Sequence, residues 1–570
     1  MESIWERRAE IALLTALMLV ACAARTYRLG TTSLAEDEAS KLAAASEYRQ
    51  GHFSGVNSEH PMLLKLLVWG SLEVGDRLSR TSPTQVWPQG HVEIWLRLPN
   101  VILGTATTLL IYLLGLELMG TGGAAGKITG ALGAFFWAVS PIPIALNRVA
   151  KEDTPLTFFT VLAVYLYARA KHAPAEKARR WTDATGVAFG FALASKYIFH
   201  IFGLNALVWH VAGHDGIDRQ PLGKYFWRMT AIMVAVFIAL NPVLLSPHNL
   251  LSAMGYAEGA DVHHNGYNLD GTIYMNSASL TPYGVPWYFY AWVLVVKTPL
   301  AVLGLLVVGA AMLLWRERRS LPSIYFRVMV VIGILCLSLI GAKWIRYMLP
   351  AIPFVCLTCG YTGQKLYAWL SSLPRAGVRR MAMAAAAVVL LAWPMGEALR
   401  WAPFYSLYLN ELGGGRENVA RFFPHDEIYD LGTQQAVDAV ANQAPEGATV
   451  AAANPRVVRF YLREAGRQDI RLVPIYDVSY VPHTGDFLIV QRARRYFETT
   501  GLYDLVERAH MPYRDIRDGG FTMAQVYCFS ECPETEAETF ATGTAGVRRA
   551  SAKRSPGRRK ASREGAPRAE

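Results

Sequence analysis

Two carboxylates stand side by side at Asp37 and Glu38, about ten residues after a long apolar run. An adjacent pair in extended chain points to opposite sides, so one can face a cavity while the other faces backbone. A carboxylate so placed can act as a general base toward an attacking hydroxyl. The same pair also suits the N-terminal dipole of a helix over ASKLAAASEY. A second charged group is Asn147-Arg148-Val149-Ala150-Lys151-Glu152-Asp153, with four charges between two apolar runs. Arginine there suits bidentate binding of phosphate or carboxylate, and an Arg148–Asp153 ion pair is the alternative. Further cations sit in or beside apolar runs at Lys196, Lys297 and Arg346. Any one of them could snorkel. Several at one depth fit that reading poorly and suit the phosphate of a lipid-borne ligand.

His263 and His264, close to Asp261, are the one pair that suggests a metal. They lack HxxxH-type spacing, so a divalent metal is open but unsupported by ligand spacing, and no cofactor is required. Polar contacts to a lipid head or a sugar suit these histidines and the nearby Tyr267 better. There is no Walker loop or Rossmann fingerprint for a soluble nucleotide.

These groups must be held by membrane elements. Of the 570 residues 52% are apolar and only 18% charged, and the apolar residues cluster before about residue 398. That excludes a wholly soluble or disordered chain. At about 20 residues per span, eleven spans are predicted, near 9–26, 96–117, 128–147, 154–171, 182–196, 197–213, 226–246, 287–314, 324–342, 347–368 and 380–398. With the N-terminus inside, inside segments carry nineteen Lys and Arg and short outside loops five, as the positive-inside rule requires. Eleven spans then place the C-terminus outside.

Two long outer loops follow from this topology. Residues 27–95 include EHPMLLKLLVWGSLEVGDRL, which reads as a helix lying in the interface. Residues 247–286, without Lys or Arg, read as irregular polar chain over a cavity. The expected division is 1–398, a transmembrane catalytic part; 399–532, an outside α/β domain of alternating strands and helices; and 533–570, a tail. The net charge is +11, but Arg548–Glu570 alone carries nine basic and two acidic groups. The basic balance therefore belongs to a disordered, solvated tail and does not indicate nucleic acid.

Cys22, Cys336, Cys356 and Cys359 lie in apolar runs and read as small buried hydrophobes. Cys528 and Cys532 fall in the outside domain, where a disulfide could persist. A straight strand would hold their Cα atoms about 13 Å apart at ~3.3 Å per residue, so a bridge needs a turn at Ser530-Glu531.

The ordered series AEDE, EHPMLLKLL, NRVAKEDTPL, ALASKYIF, GY…YFYAWVLVVKTPL, KWIRYMLPAIP and APFYSLYLNELGGG resembles the dolichyl-phosphate-mannose–protein mannosyltransferase family. The likeness is greatest to its bacterial polyprenyl-phosphate-sugar-dependent members, of the GT-C glycosyltransferase class. It covers about residues 10–430. It implies a GT-C-like polytopic α-helical membrane protein that transfers a sugar from a lipid-linked monophosphate at the outer face. By position it implies Asp37 as the catalytic acid residue with Glu38 beside it, Arg148 and Asp153 as an R-x4-D pair, and His60 in an HP element. The usual second proline of that element is Met62 here. It further implies Lys297 in KTP and Arg346 with Tyr347 in the RY element.

The expected reaction is a single displacement. Cations stabilise the departing phosphate, a carboxylate takes the acceptor proton, and the sugar carbon inverts. Asp37 is the first choice of base and Asp153 the next. The acceptor is a protein, lipid or glycan of the cell envelope; protein glycosylation is one such case. The other partners are the polyprenyl-phosphate-linked donor and membrane lipid. The expected location is the inner or plasma membrane, with a cytoplasmic N-terminus and a periplasmic or extracytoplasmic C-terminal domain. The rival readings are a lipid or polyprenyl-phosphate flippase, which would want midplane charges and a repeat, and a non-catalytic envelope-binding scaffold.

Overall fold

The computed structural model describes residues 4–53, 56–79, 92–119, 123–197, 222–257, 263–277, 284–476, 481, 483–518 and 521–529. The first part is helical: α1 (Ile4–Thr26), α2 (Glu36–Arg49), α3 (Met62–Ser79), α4 (Val92–Leu118), α5 (Ala124–Val139), α6 (Pro141–Asn147), α7 (Asp153–His172) and α8 (Ala175–Ser195). Among the described residues five helices are long and apolar enough to cross a membrane, or six if the bent pair α5–α6 forms one span. Three expected spans, around α7, α8 and Ile352–Ser371, are present as helices of 20, 21 and 20 residues. They are less apolar than those five. The expected span 197–213 falls almost wholly outside the described residues. The helix Ala376–Trp401 is only 11% buried over its most apolar window, as a lipid-facing span should be. The chain is thus an integral membrane protein with several apolar helices.

Two breaks in the helices matter for the site. The α5–α6 pair bends by 61°, where Ser140 is extended and Pro141 starts the second helix. A proline is favoured in that first helical turn. The bend delivers Asn147-Arg148 to the head of α7. The expected span 287–314 is broken at Thr298-Pro299, between Phe289–Lys297 and Leu300–Ala311. The carbonyls freed there are taken by Asn410, whose Nδ2 donates to Val295 and Thr298 oxygens at 2.7 Å. Elsewhere the helices meet through small residues. A Cβ on Gly360 would lie 2.3 Å from the Thr129 oxygen, the close approach that glycine permits between spans.

The loop 247–286 is more regular than its sequence suggests. It holds a helix, Pro247–Ala257, and an antiparallel hairpin of β1 (His263–Leu269) and β2 (Thr272–Ser277). Asp270 and Gly271 both have positive φ, 49° and 82°. This suits the two-residue turn for which Asp-Gly is favoured.

The C-terminal region forms a mixed sheet of β3 (Thr449–Ala452), β4 (Arg471–Pro474), β5 (Phe487–Gln491), β6 (Arg514–Asp518) and β7 (Phe521–Cys528). The order is β4-β3-β5-β7-β6. β3 is parallel to β4 and β5, and β7 is antiparallel to β5 and β6. The charge-rich edge strand β6 is absent from the sequence reading, because RDIRD has little of the apolar content that marks a strand. Leu64, Val68 and Leu72 of α3 share one apolar core with Val450, Ile489 and Val526 of this sheet. The first long loop and the C-terminal region are therefore packed as one body. Cys528 is disulfide-bonded. Cys532 lies outside the described residues. Cys356 and Cys359 are buried free thiols, whereas Cys22 and Cys336 are on exposed faces.

Candidate active site

The head of α2 sorts its two acids. Glu38 is fully buried. Arg97 grips it from both sides, Nε to Oε1 at 2.9 Å and Nη2 to Oε2 at 2.8 Å. The backbone amides of Ala35 and Ala150 also donate to it, each at 2.9 Å. Both oxygens are therefore occupied, and Glu38 ties three segments together. Asp37, one residue earlier, has a side chain 22% exposed. Its Oδ2 takes the Lys151 ammonium at 2.5 Å and the Tyr429 hydroxyl. Burial alone would push the Asp37 carboxyl up, but the charges of Lys151, Lys41 and Arg346 hold it well below the usual carboxylate range.

The predicted cations divide in the same way. Arg148 donates to the carbonyls of Arg25, Tyr27 and Arg28 at 2.8–3.2 Å. Lys297, at the helix break, pairs with Glu427 at 2.7 Å and donates to the Ser406 and Tyr408 carbonyls. Both stitch the 400–410 and 25–28 segments to the helices. Arg346 differs. It lies over the rings of Trp344 and Tyr347, at 4.7 and 5.5 Å. Its Nε is 3.9 Å from Asp153 Oδ2, and neither atom has a hydrogen-bond partner among the described residues. Lys196 donates to the other oxygen of Asp153 at 2.8 Å and stands 4.1 Å over the Tyr347 ring.

Behind these groups lies a buried charge network. Lys41 pairs with Glu152 at 2.6 Å, and His60 Nδ1 is 3.9 Å from the same carboxylate. Burial drives the His60 imidazole well below its ordinary value, so it is neutral near pH 7. Burial would push Glu152 up, but His60, Lys41 and Lys151 hold it below the carboxylate range. Lys65 is brought down to about 8 by burial. Its ammonium donates to the Asn57 and His60 carbonyls at 2.8 and 2.9 Å.

Lys151, Asp153, Arg346, Asp426 and Tyr429 line one cavity of about 100 Å³ open to solvent. Glu38, Arg97 and Arg148 also line it. Asp37 joins the wall through Lys151 and Tyr429. Tyr267 reaches the site indirectly, its hydroxyl donating to Asp426 Oδ2 at 2.5 Å. That oxygen also accepts the Ile345 amide, next to Arg346, at 3.2 Å. Of the sequence candidates, the structure thus gathers Asp37, Asp153, Lys196, Arg346 and Tyr347, with His60 and Tyr267 one contact away. Glu38, Arg148 and Lys297 are engaged in the framework. The side chains of His263 and His264 lie outside the described residues. Among the described residues no three His, Cys, Asp or Glu converge as metal ligands. Sequence reasoning assigned no role to Lys41, Glu152, Asp426, Tyr429, Asp430 or Arg494. The one signal for the C-terminal set is PHDEIYD at 424–430, an acidic and aromatic run just past the last apolar segment.

This fold, with its cavity of cations and acids at the helix heads, is that of a GT-C membrane glycosyltransferase. Residues 13–250 match the dolichyl-phosphate-mannose-protein mannosyltransferase family, and residues 267–402 match the Alg9-like mannosyltransferase family. In sequence the chain is thus similar to these two mannosyltransferase families over successive stretches of its helical part. In structure it is similar to ArnT from Cupriavidus metallidurans bound to undecaprenyl phosphate, with a TM-score of 0.50 and 13% identity. That match covers 90% of this chain and 97% of ArnT. It is also similar to the Archaeoglobus fulgidus oligosaccharyltransferase in the apo form, with a TM-score of 0.53 and 10% identity, over 83% of this chain and 65% of that one. The same archaeal enzyme in complex with an inhibitory peptide and a dolichol-phosphate gives a TM-score of 0.50 at 9% identity, over 82% and 65%. No curated protein matches the sequence.

Proposed function

We propose that this glycosyltransferase moves a sugar from a polyprenyl-phosphate-linked donor to an acceptor hydroxyl, with inversion at the sugar carbon. The observation that carries this reading is Arg346: a guanidinium held between aromatic rings, with Nε hydrogen-bonded to nothing among the described residues, beside two carboxylates at a cavity wall. A buried donor without an acceptor is costly, and an anionic phosphate would supply one. Lys151 adds charge on the same wall, and Lys196 adds charge through its contact with Asp153. Two structural relatives, by their descriptions, hold undecaprenyl phosphate and dolichol-phosphate, which supports a donor of that chemistry.

In the proposed step the acceptor oxygen attacks the anomeric carbon as its proton passes to Asp37. Both contacts on Asp37 named above fall on Oδ2, which leaves Oδ1 for that proton. The bond between the sugar carbon and the phosphate oxygen breaks, and its electron pair leaves on the phosphate, where Arg346 and Lys151 stabilise it. The same cations weaken Asp37 as a base while they face it alone. A phosphate that engages them returns basicity to Asp37, so the base becomes competent when the donor is seated.

We place the N-terminus in the cytoplasm and the C-terminal sheet region outside, from the distribution of Lys and Arg between the loops. The reaction then takes place at the outer face of the cell or plasma membrane, on an envelope acceptor. The test is sugar transfer by full-length protein in membranes supplied with a panel of lipid-linked sugars. Asp37→Asn should cut turnover by roughly 10²–10⁴ while undecaprenyl phosphate binding persists. Normal turnover in that variant would remove Asp37 as the base.

A further inference from the structure

Asp37 is held by a residue from a distant part of the chain. Tyr429 donates its hydroxyl to Asp37 Oδ2, across 392 positions. Its neighbour Asp430 accepts the backbone amide of Glu36 at 2.7 Å. Two consecutive residues of the 424–430 segment therefore grip two consecutive residues at the head of α2. Asp430 is itself clamped by Arg494, which follows β5. Arg494 Nη2 reaches both Asp430 oxygens at 2.7 and 2.8 Å, and its Nη1 reaches Glu36 Oε2 at 2.7 Å. Gln491, the last residue of β5, adds a bond to Asp430 Oδ1 at 3.2 Å.

The backbone at Tyr429 is unusual. Its φ is +49° and ψ −109°, a region that a bulky side chain rarely adopts. Such strain persists only where the surroundings over-determine it, and it gathers at functional sites. Here the surroundings do so. The Tyr429 amide donates to the His425 carbonyl at 3.0 Å. The ring lies 5.3 Å from His425, and the Arg494 guanidinium stands 5.4 Å over it. The hydroxyl that this conformation delivers is well above its usual titration range, through burial and the charge of Asp37. It therefore remains a donor.

We propose that Tyr429 is a positioning residue for the general base, and that the C-terminal sheet region completes the active site by holding Tyr429 through Arg494 and Asp430. The inference rests on the reading of Asp37 as the base. The hydroxyl fixes Oδ2, so that Oδ1 faces the acceptor, and it favours the ionised carboxylate. C-terminal residues such as Arg494 would then affect catalysis without touching substrate.

The experiment compares Tyr429→Phe, Arg494→Lys and Asp37→Asn as full-length proteins. The probe is undecaprenyl-phosphate mannose, or whichever donor of the panel the wild type uses. Phenylalanine keeps the ring that Arg494 and His425 hold. Tyr429→Phe should lose about tenfold in kcat, the worth of one hydrogen bond to a charged group. Its donor KM should stay within twofold, and undecaprenyl phosphate binding should be unchanged. The acid limb of its pH profile should move to higher pH, because the carboxylate loses a donor that stabilised it. Arg494→Lys should shift kcat and the acid limb in the same directions, a response that a merely structural role would not give. Wild-type kcat and pH profile in Tyr429→Phe, with Asp37→Asn inactive, would overturn the inference alone. Full activity in Asp37→Asn would instead overturn the reading beneath it.

Discussion

The two sides of the first turn of α2 carry the same kinds of residue and use them differently. On one side Glu38 and Arg97 close on each other, Arg148 closes on backbone carbonyls, and every carboxylate oxygen of Glu38 is matched. On the other side Asp37, Asp153, Lys151 and Arg346 stand in a looser set, with buried atoms of Asp153 and Arg346 left without hydrogen bonds among the described residues. Residue type and depth do not separate the two sides. Saturation does: the closed side builds the loop geometry, and the open side has polar capacity left for a ligand.

That contrast can be broken most forcefully at Glu38. Glu38→Ala leaves the Arg97 guanidinium buried without its carboxylate and deprives two backbone amides of an acceptor. Removing one partner of a buried pair costs about 3–5 kcal/mol, so thermal unfolding of the purified protein should show a loss of that size. A loss under about 1 kcal/mol would show that the closed side is not the framework.

A smaller effect sharpens the open side through pH. His60, Asp37 and Glu152 all titrate below their ordinary values in the folded chain. The unfolded chain therefore takes up their protons first, and stability is full above the ordinary values and falls with acid. Melting measured from pH 8 downward should decline from about pH 6.5 as His60 resists protonation, and further below about pH 4 for the two carboxylates. A midpoint that stays flat from pH 7 to 5 would contradict the buried neutral histidine.

Much of the architecture was legible in the sequence because long apolar runs and strand–helix alternation are local signals. β3, β5 and β7 lie on ATVAAA, DFLIVQ and FTMAQVYCF, short apolar stretches within the expected alternation of 399–532. The β1–β2 hairpin was missed because its strands are polar, although Asp270-Gly271 carried the turn. The site was legible in part. Asp37, Arg346 and Asp153 are found together: Arg346 and Asp153 are charges at the ends of apolar runs, and Asp37 follows one by about ten residues. Arg148 and Lys297 share that signal, and only the partner carbonyls reveal their different use. Tyr429 and Arg494 had no such mark, because their role depends on contacts across some 390 to 460 residues of chain.

The central claim is that the open side, through Arg346, receives the phosphate of a polyprenyl donor. The most direct measurement is the affinity of the full-length protein for undecaprenyl phosphate, compared between wild type, Arg346→Ala and Arg346→Lys at matched thermal stability. Binding should weaken by at least about tenfold in Arg346→Ala, as for loss of a charge-assisted hydrogen bond. It should recover only in part in Arg346→Lys, which cannot make the bidentate contact. Wild-type affinity in Arg346→Ala would contradict the account and move the phosphate to another part of the molecule.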